Sequence, residues 1–162
     1  MIYNTFVNIG LSEESKLELS LFLEDIDIPN PIFSKNMHLT LVESNEVVNI
    51  PNDYFSGTLK ASAKFYSYRL FPCGEQNENF ALALVFNDTE LFDFHHKITN
   101  NFKAYSVYDK YIPHISLSYD FPSDFDITTL KKPNFDLIFD SFQGCEIPDI
   151  SNLEEDLEKL FL

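Results

Sequence analysis

Apolar and polar positions divide this chain into two similar series of elements. Residues 2–9 are apolar and β-branched, which predicts a strand. Ser12 then caps a helix, with Glu13 and Glu14 suited to its first turn. Leu17, Leu19, Leu21, Phe22 and Leu23 give that helix a broad apolar face, and it ends near Glu24. Pro29 and Pro31 make residues 27–34 a loop. Residues 37–42 read as a strand with His38 and Thr40 on one face and Leu39 and Leu41 on the other, because side chains alternate along a strand. Residues 44–53, polar and containing Pro51, form a second loop. Residues 58–71 alternate as one long strand, with Leu59, Ala61, Ala63 and Phe65 inward and Lys60, Ser62, Lys64, Tyr66 and Tyr68 on the other face.

The series then repeats. A turn runs from Pro72 to Asn79. Residues 80–86 are almost continuously apolar, as in a strand buried on both faces. Asp88 or Thr89 caps a second helix reaching about Phe102, with Leu91, Phe94, Ile98 and Phe102 inward. Residues 113–119 form a strand that shows His114 and Ser116 on one face and Ile115 and Leu117 on the other. A short helix fits residues 127–131, and residues 135–142 alternate again, with Phe135, Leu137 and Phe139 toward the core. Leu153, Leu157 and Leu160 stand at helical spacing near the end.

Both halves therefore run strand, helix, His strand, strand. His38 and His114 are 76 positions apart, as are Ser12 and Asp88, and Thr58 and Asn134. Side-chain identity between the halves is low, so the architecture repeats and the sequence does not. The expectation is an α+β fold of two pseudo-symmetric lobes, each an antiparallel-rich sheet with a helix on its outer face. The two His strands then meet at a central groove. The whole chain, 1–162, reads as one domain, with lobe one at about 1–72, lobe two at about 79–142 and a tail at 143–162.

Composition narrows the chemistry. The chain has 162 residues, enough for one sizeable core. Its net charge of -15 disfavours duplex nucleic acid and anionic membrane surfaces as partners, since both are bound largely through Lys and Arg. A small anionic substrate is compatible, because a local pocket can differ from the overall field. Arg69 is the only arginine; its plain reading is a surface charge. Cys73 and Cys145 read as free thiols in a reducing compartment. With four glycines there is no Gly-rich phosphate loop. No apolar run reaches bilayer length, so a cytoplasmic protein is expected.

Two H-x-[ST]-apolar strands in a chain of this size resemble the 2H phosphoesterase superfamily, the LigT-like or cyclic phosphodiesterase group. The stretch Tyr111-Ile112-Pro113-His114-Ile115-Ser116-Leu117 is particularly similar to that group's second motif, though Ser116 stands where threonine is commoner. The resemblance implies phosphodiester chemistry without a metal or other cofactor. One histidine is a general base on the attacking oxygen and the other a general acid on the leaving oxygen. Thr40 and Ser116 bind the non-bridging phosphate oxygens. Imidazole titrates near neutral pH, so one neutral and one protonated ring can coexist. The pair His38 and His114 does not itself say which is which.

Compact size and composition resemble small phage members of the group, among them anti-CBASS phosphodiesterases that destroy cyclic oligonucleotide messengers. The expected substrate is therefore a small cyclic nucleotide or cyclic oligonucleotide, acted on by a monomer or weak homo-oligomer in the host cytoplasm. The alternatives are 2′,3′-cyclic phosphates at RNA ends, 2′-5′ linkages, or a non-catalytic nucleotide sponge. Lys64, Tyr66, Tyr68 and Ser118 are candidate substrate contacts, the tyrosines by stacking on bases. His95 and His96, adjacent on a helix with no ligand at i+4, read as structural.

Overall fold

The computed structural model describes residues 5–32, 37–73, 79–104 and 110–145. Strand β1 (Thr5–Leu11) buries Val7, Ile9 and Leu11 by simple alternation. Ser12 caps α1 (Glu13–Ile26), its hydroxyl accepting the Ser15 N–H at 3.2 Å, and Asp27 ends the helix in the left-handed region at φ 52°. The buried stripe is Ser15, Leu19 and Leu23, one residue per turn. Leu17 and Leu21 were expected on that face but are 62% and 59% exposed. Two residues of helix rotate a side chain by about 200°, so neither can share a stripe with Leu19.

The remaining elements are β2 (His38–Ser44), β3 (Leu59–Ala61), β4 (Tyr66–Cys73), β5 (Asn79–Phe86), α2 (Thr89–Phe102), β6 (His114–Ser118) and β7 (Leu137–Gln143). The expected long strand over 58–71 is thus two strands. A 3-10 turn, Ala63–Phe65, interrupts it because remote carboxylates take its amides. Asp88 accepts the Ser62 N–H at 2.8 Å and Asp136 accepts the Ala63 N–H at 2.8 Å. Three helical residues reverse the alternation that follows. Phe65 is consequently 42% exposed and Tyr66 only 3% exposed, the opposite of the expected order.

Every strand pair is antiparallel, in two sheets ordered β2-β1-β7-β3 and β4-β5-β6. The sheets cross the halves of the chain. In each, a His strand lies beside the first strand of its own half, and that first strand pairs with the last strand of the other half: β2-β1-β7 and β6-β5-β4. The lobes are pseudo-symmetric, and each is completed by a strand from the other. Residues 81–86 of β5 are buried on both faces, as their apolar run predicts. One core spans both sheets: the Phe86 ring meets its cross-strand neighbour Tyr66 at 5.5 Å and, across the seam, Phe139 of the other sheet at 5.9 Å. The helix α2 lies against β2 and β3, reaching across to the four-stranded sheet. The short helix expected near residue 127 is a 3-10 turn, Ile127–Thr129. Both cysteines are free. No helix among the described residues is long and apolar enough to cross a membrane. The helix expected from Leu153, Leu157 and Leu160 falls outside the described residues.

Candidate active site

Between the two His strands lies a groove of about 460 Å³, within the range of about 300–1,000 Å³ usual for small-molecule sites. His38, Thr40, His114 and Ser116 all line it. Alternation places them there: Leu39 and Ile115, the residues between, are fully buried on the other side.

Each His strand then breaks its alternation at the same place. Asn8 faces Thr40 and Val7 faces Val42, so Leu41 has no partner of its own. Ala83 faces Ser116 and Leu82 faces Ser118, so Leu117 is the extra residue in the second lobe. A β-bulge of this kind re-aims everything beyond it. Leu41 and Val42 are both buried, and Glu43 returns to the groove. Leu117 and Ser118 are both buried, and Tyr119 returns to the groove. Glu43 and Tyr119 keep the 76-residue spacing of the histidines.

The bulge corrects one expected contact. Ser118 was placed on the face of His114; it is instead fully buried, outside the groove, with its hydroxyl lacking a hydrogen-bond partner among the described residues. The other expected substrate contacts also lie elsewhere. Tyr66 is in the core, its hydroxyl 3.0 Å from the Ala61 and Phe135 carbonyls. Tyr68 donates to the Lys131 carbonyl at 2.7 Å, and burial pushes its phenol up to about 12. Lys64 sits on the 3-10 turn with its ammonium 5.0 Å above the Phe65 ring. None of the three lines the groove. Lys64 lies within the 3-10 turn at residues 63–65, and the two tyrosines follow the phase reversal it causes.

The groove also holds residues that period-two reasoning misses. Phe6 packs edge-on to His38 at 6.1 Å, and Phe71 lies against His114 at 5.0 Å, so each imidazole has an aromatic neighbour. Lys110 supplies a cation at the groove wall; its adjacency to the Tyr111–Leu117 motif was the available signal. Arg69 is exposed, as its plain reading had it, and lies outside the groove. Its guanidinium lies 4.9 Å above the Phe71 ring, one ring behind His114.

His114 is held in a defined state. Its Nδ1 lies 2.7 Å from the Ile112 carbonyl, which can only accept, so Nδ1 carries a proton and, in the neutral ring, Nε2 keeps the lone pair. Desolvation by burial lowers its pKa below the usual imidazole value; the Ile112 bond opposes this, and the charges of His38 and Arg69 lower it further. The influence of His38 on His114 reflects their sharing one site. His95, on α2, is also at the groove edge; burial lowers its pKa as well.

The model of the anti-CBASS protein Acb1 family matches residues 3–157. The chain belongs to the Acb1 family. Solved structures agree on the fold. A structure described as a phosphoesterase superposes with a TM-score of 0.55 at 14% identity, covering 84% of this chain and 83% of its own. *E. coli* LigT in complex with 3′-AMP gives 0.50 at 14% identity, covering 85% and 83%. *E. coli* LigT in its apo form gives 0.51 at 13% identity, with the same coverage. The resemblance to 2H phosphoesterases read from the two motifs therefore extends to the fold of this Acb1-family chain. A search of curated protein sequences finds no significant match.

Proposed function

We propose that this protein is a phosphodiesterase that opens small cyclic nucleotides, cyclic oligonucleotide messengers first among them, by two-histidine acid–base catalysis. The carrying observation is the pair of identically bulged strands that direct His38 with Thr40, and His114 with Ser116, into one groove. Membership of the Acb1 family supports a cyclic oligonucleotide as substrate and the host cytoplasm as the place of action.

His114 is the general base. Its neutral form is favoured, and its Nε2 lone pair is presented by the Nδ1–H bond to Ile112. It takes the proton of the attacking oxygen, a water or a ribose 2′-hydroxyl, as that oxygen bonds to phosphorus. The bond from phosphorus to the leaving oxygen breaks, and His38 delivers a proton to that oxygen. Water attack gives a phosphomonoester and a free hydroxyl; 2′-hydroxyl attack gives a cyclic phosphate and a free hydroxyl. The Thr40 and Ser116 hydroxyls donate to the non-bridging oxygens as charge builds there. Lys110 offsets the strongly acidic character of the chain at the groove. The 1–162 unit acts as one domain, since each lobe's sheet is completed by the other half of the chain.

A second reading, cleavage of 2′,3′-cyclic phosphates or 2′-5′ linkages, is favoured by the likeness to a LigT that was crystallised with 3′-AMP. One experiment separates them. Purified protein is incubated in EDTA with a panel of cyclic di- and trinucleotides, 2′,3′-cyclic nucleotides and 2′-5′ dinucleotides, and products are resolved by chromatography. Turnover of the cyclic oligonucleotides supports the first reading, and turnover of the other substrates alone supports the second. Binding without turnover would make the protein a sponge.

A further inference from the structure

The two bulges leave two backbone carbonyls outside their ladders, and each is taken by the opposite half of the chain. The Leu117 carbonyl accepts the Ile32 N–H at 2.8 Å, from the segment that precedes β2. The Leu41 carbonyl meets Nδ1 of His95, on α2, at 2.5 Å. One residue earlier, the Thr40 carbonyl accepts the Tyr111 hydroxyl at 2.7 Å. The His95 and Tyr111 rings are stacked at 3.8 Å with 7° between their planes, and Phe92 closes edge-on against Tyr111 at 6.0 Å. His95 is 5% exposed, so its ring has little freedom to leave this stack.

Two consecutive carbonyls of β2 are thus clasped by two stacked side chains belonging to the second half. The clasped residues are Thr40, which faces the groove, and the bulge residue that determines where Thr40 and Glu43 point. Tyr111 is three residues before His114, and His95 is on the helix that follows β5, the ladder partner of β6. The same pair therefore ties the backbone of one motif to the elements that carry the other.

We infer that His95 and Tyr111 are positioning residues: a stacked pair that holds the Thr40–Leu41 bulge, and so sets the Thr40 hydroxyl and His38 in register with His114. Neither touches the reacting atoms in this role. The inference rests on the catalytic reading above. It adds that the distance between the two motifs is set by hydrogen bonds from side chains that the H-x-[ST] pattern does not contain.

Three substitutions separate the parts of the clasp. Tyr111→Phe removes only the hydroxyl. His95→Phe keeps a stacking ring and removes the donor. His95→Asn sacrifices the ring but keeps an N–H close to the position of Nδ1. Misplacing a catalytic group by a fraction of a bond length is costly, so Tyr111→Phe and His95→Phe are each expected to lower kcat per folded molecule by about tenfold while KM changes less than about twofold. His95→Asn is expected to recover most of the loss seen in His95→Phe. The same proteins, without substrate, are examined by NMR, where the His38 ring and Thr40 amide signals are expected to move in Tyr111→Phe and His95→Phe.

If wild type turns over substrate but both variants keep its kcat and KM, with only the melting temperature lowered, the clasp is merely structural and the inference falls. If wild type turns over nothing in the panel, the catalytic reading fails instead. The NMR comparison then decides the clasp: unmoved His38 and Thr40 signals overturn it, and moved signals retain it as the device that aligns the two motifs.

Discussion

At the scale of single residues, the proposed mechanism separates groups assigned to the phosphate from groups that tune them. Thr40 and Ser116 differ by one methyl group. Threonine's β-branch restricts its rotamer, whereas serine relies on its surroundings to aim the hydroxyl. Removing either hydroxyl while keeping the strand deletes a donor at the developing charge. Thr40→Val and Ser116→Ala are each expected to reduce kcat by about 10²-fold. Steady-state kinetics on the preferred cyclic nucleotide checks this, with circular dichroism confirming an unchanged fold. The shared face of His38 with Thr40, and of His114 with Ser116, was legible in the sequence because period-two alternation and a shared spacing are local and repeated. The role of His95 was not. Adjacent histidines on a helix look structural until a carbonyl from another strand is seen beside one of them.

At the scale of elements, irregularities decide what faces the groove. A bulge adds one residue to one strand, and no composition rule announced it at Leu41 or Leu117. The available hint was the pair of consecutive apolar residues Leu41-Val42 after the first motif; Leu117-Ser118 continues the alternation and gave none. The consequence can be measured. Ser118→Ala is expected to leave KM unchanged, whereas Tyr119→Ala raises it by about tenfold, the scale of one lost base–aromatic stack. Equal effects of the two would mean that the strand does not change phase. The 3-10 turn at Ala63–Phe65 was illegible for a related reason: its amides are held by Asp88 and Asp136, far away in sequence. Close approach also constrains Gly144. A Cβ there would lie 2.1 Å from the Ile50 carbonyl oxygen, beside the bridge between Ile50 and Cys145. Gly144→Ala should destabilise the protein by about 1–3 kcal/mol or more, as read from denaturant midpoints.

At the scale of the whole molecule, the two halves are joined by exchange. The repeated order of elements was readable along the chain. That each half's first strand pairs with the other half's last strand was not, because pairing partners are long-range choices. The exchange leaves one core, with the His95 imidazole buried and that of His114 half-buried at the groove. Burial lowers the pKa of both His95 and His114 from the ordinary 6.5. Each therefore binds fewer protons folded than unfolded as pH falls below about 6.5. Their contribution to stability is complete above that pH and is lost as pH falls toward their folded values. Stability measured between pH 7.5 and 5.5 is expected to decline, and His95→Asn should decline less steeply. An equal slope in the two proteins would show that His95 is not held neutral by its surroundings.

The central claim is that two imidazoles act on one phosphate, with His114 as base and His38 as acid. The most direct measurement is the pH dependence of kcat/KM for wild type, His114→Ala and His38→Ala, with the best cyclic nucleotide from the panel and EDTA present. Wild type should give a bell whose ascending limb lies below the ordinary imidazole pKa, because burial favours neutral His114 there. His114→Ala should lose the ascending limb, and His38→Ala the descending one. A wild-type bell whose two limbs both persist in the residual activity of the two variants would contradict the account.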